Sequence, residues 1–219
     1  MSSAKQEILD RIQNALKDIP PDEKPDDITV DRSYRTTSDD DQDILVNRFA
    51  QRVGEYKATV QRVSQSDVLQ TIKDSCKREK VQQLVIPPGL AKELYPNELD
   101  LLKDTHEVQL THHQLDDADG VLTTCALAVA ETGTIILDAG EGQGRRALTL
   151  LPDYHLCVVY EDQIVGIFPE AIRHFEEKMQ TKAPPMTLIS GPSATSDIEL
   201  NRVEGVHGPR RLEVLIVEE

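Results

Sequence analysis

The chain has 219 residues, of which 38 % are hydrophobic and only 4 % aromatic, and it contains no tryptophan. Its 39 acidic residues outnumber its 24 lysines and arginines, which gives a net charge of −15. This length suits one domain with an appendage, and the composition favours a core of valine, isoleucine, leucine and alanine. The negative charge argues against nucleic acid and anionic membrane surfaces as partners, since both are themselves negative.

The sequence also limits the compartment and the metal chemistry. No apolar run approaches the roughly 20 residues that a bilayer span needs, and the amino terminus lacks the apolar region of a signal peptide. We therefore expect a cytoplasmic protein without membrane insertion. Cys76, Cys125 and Cys157 form no Cys-x-x-Cys pair, so we expect no iron–sulfur or zinc site in this chain. Small buried hydrophobic residues are the favoured interpretation of the cysteines, and a reactive thiol is the alternative.

Residues 1–54 are predicted to form a helical arm with an acidic linker. Residues 3–19 carry apolar side chains at helical spacing. Residues 20–43 are rich in aspartate and proline and poor in apolar residues, as linkers are. A second helix is predicted to begin near Ser38 and end at Gly54. Its apolar stripe consists of Leu45, Phe49 and Val53. The arm is either solvated or a docking element for a partner or a second copy of the chain.

Residues 55–219 are predicted to form an α/β domain, because short apolar strands alternate with amphipathic helices. This alternation is typical of an open, mostly parallel sheet with helices on both faces. The predicted strands span residues 58–63, 81–86, 108–110, 121–123, 134–137, 155–160, 187–190 and 212–217. One helix follows Ser66, with Val68, Leu69, Ile72 and Cys76 turned inward. Another begins at Pro169 and carries Ile172, Phe175 and Met179.

Glu131 stands inside the least polar run of the chain. Apolar residues 127–130 precede it and residues 135–137 follow it. A carboxylate in such surroundings must find partners or shift its pKa. A structural acceptor for the amides of the following turn, Thr132-Gly133-Thr134, is the favoured role. A catalytic nucleophile or base is the alternative.

The segment from Gly191 to Glu199 is predicted to bind a small anion. It follows a strand and leads into a helical turn, where glycine backbone, hydroxyl groups and unpaired amides suit a negative ligand. The hydroxyl side chains are Ser193, Thr195 and Ser196. The alternative is a plain turn in which Ser196 or Asp197 caps a helix.

Cationic side chains adjoin two glycine-containing turns. Arg145 and Arg146 follow one, while His207 and Arg210 lie in the other. Guanidinium groups bind carboxylate or phosphate in bidentate fashion, and histidine donates or exchanges protons near neutral pH. The alternative for the arginines is that each forms a surface salt bridge, and the alternative for His207 is a loop histidine without a functional role. No metal site is expected. The predicted ligand-binding residues, gathered in one cleft with Glu131, are Thr132, Gly133, Thr134, Arg145, Arg146, Gly191, Ser193, Thr195, Ser196, Asp197, His207 and Arg210.

Three long motifs, at residues 118–137, 191–199 and 205–212, together with Arg146 and the strand that contains His155, resemble the LUD-domain family. The resemblance covers roughly residues 50–219. It implies a Rossmann-like sheet like that of ribose-5-phosphate isomerase, glucosamine-phosphate deaminase and the CoA transferases. If so, ligands are expected beyond the carboxyl ends of strands.

The same resemblance implies a function. Relatives in this family oxidise L-lactate to pyruvate together with two iron–sulfur proteins, so we expect those partners to carry the clusters and this chain to carry no cofactor. Glu131-Thr132-Gly133 is similar to the Glu-x-Gly setting of the CoA-transferase nucleophile. Two alternatives stay open: a stand-alone isomerase- or CoA-transferase-type enzyme that uses Glu131, and a scaffold or regulatory protein.

Overall fold

The computed structural model describes residues 4–18, 24, 29–31, 33–181, 183–195, 203–205 and 207–218. These belong to two compact units, Met1–Tyr34 and Arg35–Glu219. The first contains helix α1 (Ala4–Ala15), which buries none of its residues. The large apolar side chains of this part of the chain, Ile8, Leu9, Ile12 and Leu16, are exposed. The predicted domain boundary between residues 54 and 55 stays a prediction.

The second unit contains the remaining helices and strands. The helices are α2 (Gln42–Glu55), α3 (Val68–Arg78), α4 (His112–Asp116) and α5 (Phe168–Thr181). The strands are β1 (Thr59–Ser64), β2 (Gln83–Ile86), β3 (Asp100–Lys103), β4 (Gly120–Thr124), β5 (Leu127–Val129), β6 (Thr134–Leu137), β7 (Tyr154–Tyr160), β8 (Ile164–Val165), β9 (Thr187–Ile189), β10 (Ala194–Thr195), β11 (Val203–Glu204) and β12 (Arg211–Glu218).

A six-stranded sheet organises this unit. Its order is β1-β12-β7-β4-β2-β3, and every neighbouring pair is parallel. The central strands β7 and β12 are buried along almost their whole length, as near-continuous apolar runs covered on both faces must be. The mostly parallel α/β fold expected from the alternation of strands and helices is therefore confirmed.

Alternate residues of β12 enter different cores. Val214 and Ile216 pack with the apolar stripe of α2, including Phe49. Leu215 packs on the opposite face with Ile72 of α3. The two-residue period of a strand thus explains how one short strand serves two cores. It also ties α2 to this unit, because its stripe needs the sheet to leave water.

A second sheet, with strand order β8-β5-β6-β9, was not predicted. The strands β5 and β6 form an antiparallel hairpin from the apolar run around Glu131, and β9 extends it on one side. Helix α5 covers this sheet with Ala171 and Phe175, which pack among Leu127, Val129 and Ile136. Of the apolar residues that the sequence places on this helix, Phe175 is buried, whereas Ile172 and Met179 are exposed.

The segment before β4 also differs from the prediction. Residues 108–110 form no strand, and the edge strand β3, only half-buried at its centre, was missed. His112 and His113 open α4. Thr111 caps this helix, since its hydroxyl accepts from the Gln114 amide while its own amide donates to Gln114 Oε1 at 2.9 Å. Within the described residues, no helix is long and apolar enough to cross a membrane.

Candidate anion-binding site

A cavity of about 170 Å³ opens where the loops around β9 and β12 meet the turn before β7. We call it the Arg146 cavity. Its polar lining residues are Arg146, Thr149, His155, Thr187, Ser190, Ser193 and His207. No aspartate or glutamate of the described chain lines it, although acidic residues outnumber basic ones by 39 to 24 in the whole sequence. The cavity is therefore locally suited to a negative ligand.

The cavity lies at an unexpected edge of the large sheet. His155 and Leu212, which line it, are the second residues of β7 and β12, so the cavity adjoins the amino ends of these strands. At the carboxyl ends of β2 and β4, the glycine-containing turn is hydrogen-bonded to the sheet. The Gly142 amide donates to Pro88 O and the Thr124 amide donates to Gly142 O, each at 2.8 Å. This cavity therefore does not lie beyond the carboxyl ends of β7 and β12, although Ser190 and Gly191, which follow β9, also line it. The expectation of a ligand beyond the carboxyl ends of the strands stays a prediction.

Ser193 joins the two loops that the sequence singled out. Its amide donates to Pro209 O at 2.8 Å, its carbonyl accepts from the Gly205 amide at 3.1 Å, and its hydroxyl accepts from the His207 amide at 3.0 Å. Just before it, Gly191 has φ +107°, and a Cβ there would come within 2.5 Å of Tyr56 Cβ. Glycine is thus required where the loop leaves β9.

The adjacent arginines have different surroundings. Arg145 donates to both carboxylate oxygens of the buried Asp104, each at 3.1 Å, and to Leu110 O. Arg146 lines the cavity, is exposed, and has no side-chain hydrogen bond or ion pair within the described residues. Arg210 lies outside the cavity and pairs with Asp153 at 2.6 Å. Of these three guanidinium groups, that of Arg146 is the one available to a ligand.

His155 contributes a buried imidazole to the cavity. The residue is only 1 % exposed, and its Nε2 lies 2.8 Å from Thr123 Oγ1. The thiol of Cys157 lies two residues along the same strand. Interaction with the neighbouring Cys125 thiol, and then with His155, lowers the pKa of Cys157, whereas the interaction with Cys157 and burial raise the pKa of Cys125.

The turn after Glu131 reaches the cavity only indirectly. The Glu131 side chain is half-exposed and pairs with Arg35 at 2.7 Å, so the expectation of a buried carboxylate is wrong. Thr132 Oγ1 lies 2.7 Å from Thr134 Oγ1, which lies 2.7 Å from Ser190 Oγ. The turn after Glu131 therefore contacts Ser190, the residue directly before the predicted segment 191–199. Glu131 itself does not line the Arg146 cavity, and its catalytic role stays a prediction without support from this geometry.

The predicted ligand-binding residues divide into three groups. Those that line the cavity are Arg146, Gly191, Ser193 and His207. Those that lie outside its lining are Thr132, Gly133, Thr134, Arg145 and Arg210. Thr195 belongs to the backbone pairing of β10 with β11, and Ser196 and Asp197 lie outside the described residues. The prediction missed His155, although a lone histidine in an otherwise apolar strand was the available signal.

Binding of a metal ion by the described residues would need a cluster of suitable side chains. Among them, no group of three or more histidine, cysteine, aspartate or glutamate side chains is placed to hold a metal ion. Cys76, Cys125 and Cys157 are all free and buried, as their interpretation as small hydrophobic residues predicts. The lack of a cofactor stays a prediction.

A family model described as LUD domain matches residues 46–217. The chain belongs to the LUD-domain family. The match begins within α2, the helix that packs on the large sheet, and it confirms the resemblance drawn from the motifs.

Two relatives extend this finding. A protein named lactate utilization protein C from Deinococcus radiodurans is 44 % identical over 173 residues, which is 79 % of each chain. Another of that name, from Halalkalibacterium halodurans, is 27 % identical over 206 residues, covering 90 % of this chain and 89 % of its own. The crystal structure of a DUF162 family protein from Deinococcus radiodurans resembles this LUD-domain chain with a TM-score of 0.70 at 36 % identity, covering 81 % of this chain and 98 % of that one.

Proposed function

We propose that this LUD-domain chain serves in the utilisation of L-lactate and that its Arg146 cavity binds a small anion. It would act as one subunit beside iron–sulfur proteins that together oxidise L-lactate to pyruvate. The names of its relatives support the lactate part of the proposal. One observation carries the anion part: Arg146 has no side-chain partner within the described residues and borders a cavity whose described lining lacks carboxylates.

The net negative charge of the chain explains why an anion can bind only at a site with its own positive and hydrogen-bond-donating groups. A chain with a net charge of −15 repels anions at long range. An anion is bound only where nearby groups outweigh that repulsion. In the Arg146 cavity those groups are the guanidinium, the His207 ring and the hydroxyls of Ser190 and Ser193, whereas the Thr149 hydroxyl donates to Arg146 O at 3.3 Å. A guanidinium and a hydroxyl together suit a carboxylate or phosphate.

The size of the cavity limits the ligand. Cavities for drug-sized molecules measure about 300–1,000 Å³, whereas an engineered cavity of about 150 Å³ holds one benzene molecule. At about 170 Å³, the Arg146 cavity therefore suits a molecule of roughly six non-hydrogen atoms. A metabolite the size of lactate or pyruvate meets this limit, and a nucleotide does not.

In this proposal, partner proteins carry out the electron transfer of L-lactate oxidation. An all-cysteine iron–sulfur cluster needs four thiolates, and the whole sequence has three cysteines. The chain would then bind or position the small anion while partners carry electrons. Co-purification of the tagged full-length chain with cysteine-rich iron–sulfur proteins from its own cells is the expected result of this division.

The binding proposal is tested by titrating the purified full chain with L-lactate, pyruvate and phosphate in a calorimeter. We expect Arg146→Gln to weaken binding of the preferred anion about tenfold or more, because a charge-assisted hydrogen bond is lost. The control is Arg173→Gln, which removes the same charge from an exposed side chain outside the cavity. Equal loss in both variants, or no loss in either, would contradict the proposed site.

The role in lactate utilisation is tested genetically. Deletion of the gene should stop growth on L-lactate and leave growth on glucose unchanged. The wild-type gene and Arg173→Gln should restore growth, whereas Arg146→Gln should restore it poorly. Normal growth of the deletion strain on L-lactate, with no second copy of the gene present, would refute the proposed function.

A further inference from the structure

The buried ring of His155 is the feature of the Arg146 cavity that a simple anion site does not need. A carboxylate or phosphate is held well by a guanidinium, hydroxyls and amides alone. His155 instead sits on the central strand β7, is 1 % exposed, and still borders the cavity. Burying an imidazole is unfavourable unless its nitrogens have partners.

The two ring nitrogens of His155 are not equivalent. Nε2 lies 2.8 Å from Thr123 Oγ1. Nδ1 has no hydrogen-bond partner within the described residues, yet no fully buried side-chain nitrogen of those residues lacks one. Nδ1 must therefore be open to the cavity that the ring lines. The ring also interacts with the Cys157 thiol two residues along β7, and it borders the cavity at the same time.

Thr123 can set the tautomer of this ring. If its hydroxyl donates to Nε2, the neutral imidazole carries its proton on Nδ1. The proton then points to the cavity and can be donated to an oxygen of the ligand. Arg146 is exposed and His155 is buried, and both line the same cavity.

We infer that His155 selects the ligand: its Nδ1 donates to an oxygen on the carbon next to a carboxylate that Arg146 holds. The cavity would then take a 2-hydroxy or 2-oxo monocarboxylate in preference to a plain carboxylate of the same size. This inference rests on the proposed anion site and goes beyond it, because it names a specificity-determining residue and the ligand atom that this residue would recognise.

The test compares L-lactate with propionate, which has the same carbon skeleton and lacks the 2-hydroxyl group. In the wild-type full chain we expect L-lactate to bind about 10- to 100-fold more tightly, the factor that one buried hydrogen bond to a charged or polar ligand provides. His155→Gln keeps a polar group near the Nε2 position and loses the one near Nδ1. It should reduce the ratio of the two affinities to nearly one while propionate binds as before.

Two further variants separate this role from a structural one. His155→Asn keeps a donor near the Nδ1 position and should retain part of the preference for L-lactate. Arg146→Gln should weaken both ligands by the same factor and leave their ratio unchanged. Should the His155 variants fail to fold, the ring nitrogens of the ¹⁵N-labelled wild-type chain provide the measurement, since L-lactate should shift the His155 Nδ1 resonance and propionate should not.

The outcomes separate the two claims. Tight binding of both L-lactate and propionate with equal affinity, or an unchanged ratio in a folded His155→Gln variant, would overturn the role of His155 and leave the anion site standing. Absence of measurable binding for every anion tested would overturn the anion site itself, and the inference with it.

Discussion

Glu213 on β12 is predicted to be a main determinant of stability, because it is a buried carboxylate surrounded by donors. The residue is 1 % exposed. Its Oε1 accepts from Gln61 Nε2 at 2.6 Å and from Ser75 Oγ at 2.7 Å, while its Oε2 accepts from Tyr154 OH at 2.7 Å and pairs with Arg78. Four donors from strands β1 and β7 and helix α3 thus meet on one side chain.

The proposed perturbation is Glu213→Gln, which preserves shape and removes the charge. One of the two oxygens becomes an NH₂ group, so two of the four donors lose their acceptor. Each buried group left without its partner costs about 1–3 kcal/mol, and rotation of the Tyr154 or Ser75 hydroxyl recovers part of it. We expect a loss of about 2–4 kcal/mol in the free energy of unfolding, which lowers Tm by about 5–15 °C in a chain of this length.

The effect should depend on pH. Burial raises the pKa of Glu213, but hydrogen bonds from Arg78, Tyr154, Ser75 and Gln61 outweigh it, so the pKa lies below its ordinary value of 4.5. A lowered pKa gives stability that is fully present above the pKa of the unfolded chain and is lost as pH falls through the folded one. The difference between wild type and Glu213→Gln should be constant from about pH 7 to pH 5 and shrink below about pH 4.5.

The assay is urea unfolding followed by circular dichroism across this pH range. The control is Glu55→Gln, which removes the same charge from an exposed ion pair with Arg52 on helix α2. Its free energy of unfolding should equal that of wild type within error. A Glu213→Gln variant as stable as wild type near pH 7, or a stability difference that does not change with pH, would refute the reasoning.

Three further substitutions follow from backbone and ion-pair geometry. Gly133→Ala should cost about 1–3 kcal/mol, because Gly133 has φ +60° and a Cβ there would lie 2.8 Å from Val53 N. Gly54→Ala, in contrast, should stabilise the chain by about 0.5–1 kcal/mol, since its Cβ meets nothing within 4 Å on helix α2. Arg145→Gln should cost about 2–4 kcal/mol, because it leaves Asp104 buried without its ion pair, yet it should leave the affinity for L-lactate unchanged. Urea unfolding measures all three, and calorimetry measures the affinity; a destabilised Gly54→Ala or a stable Arg145→Gln would contradict these accounts.

The sequence by itself determined the fold class and the family of this chain. Strands β7 and β12 are apolar along almost their whole length. That pattern predicts central strands of a parallel sheet, because a strand that is covered on both faces needs apolar side chains on both. The stripe of α2 predicted the face that packs on the sheet, in which Phe49 and Val53 are completely buried. The motifs around Glu131 and Ser193 placed the chain in the LUD-domain family. All three features depend on residues that are close together in the sequence, so they can be recognised from the sequence alone.

Only the tertiary structure decided which side chains share the cavity. Arg145 and Arg146 are adjacent and chemically identical, but Asp104, more than 40 positions away, occupies the first and leaves the second available. Likewise, the hairpin of β5 and β6 turns Glu131 outward to Arg35, while register between β4 and β7 brings His155 to Thr123. These pairings are contacts between segments that lie far apart in the sequence. The spacing of residues along the chain does not show which distant side chain will lie next to a given residue in the folded structure.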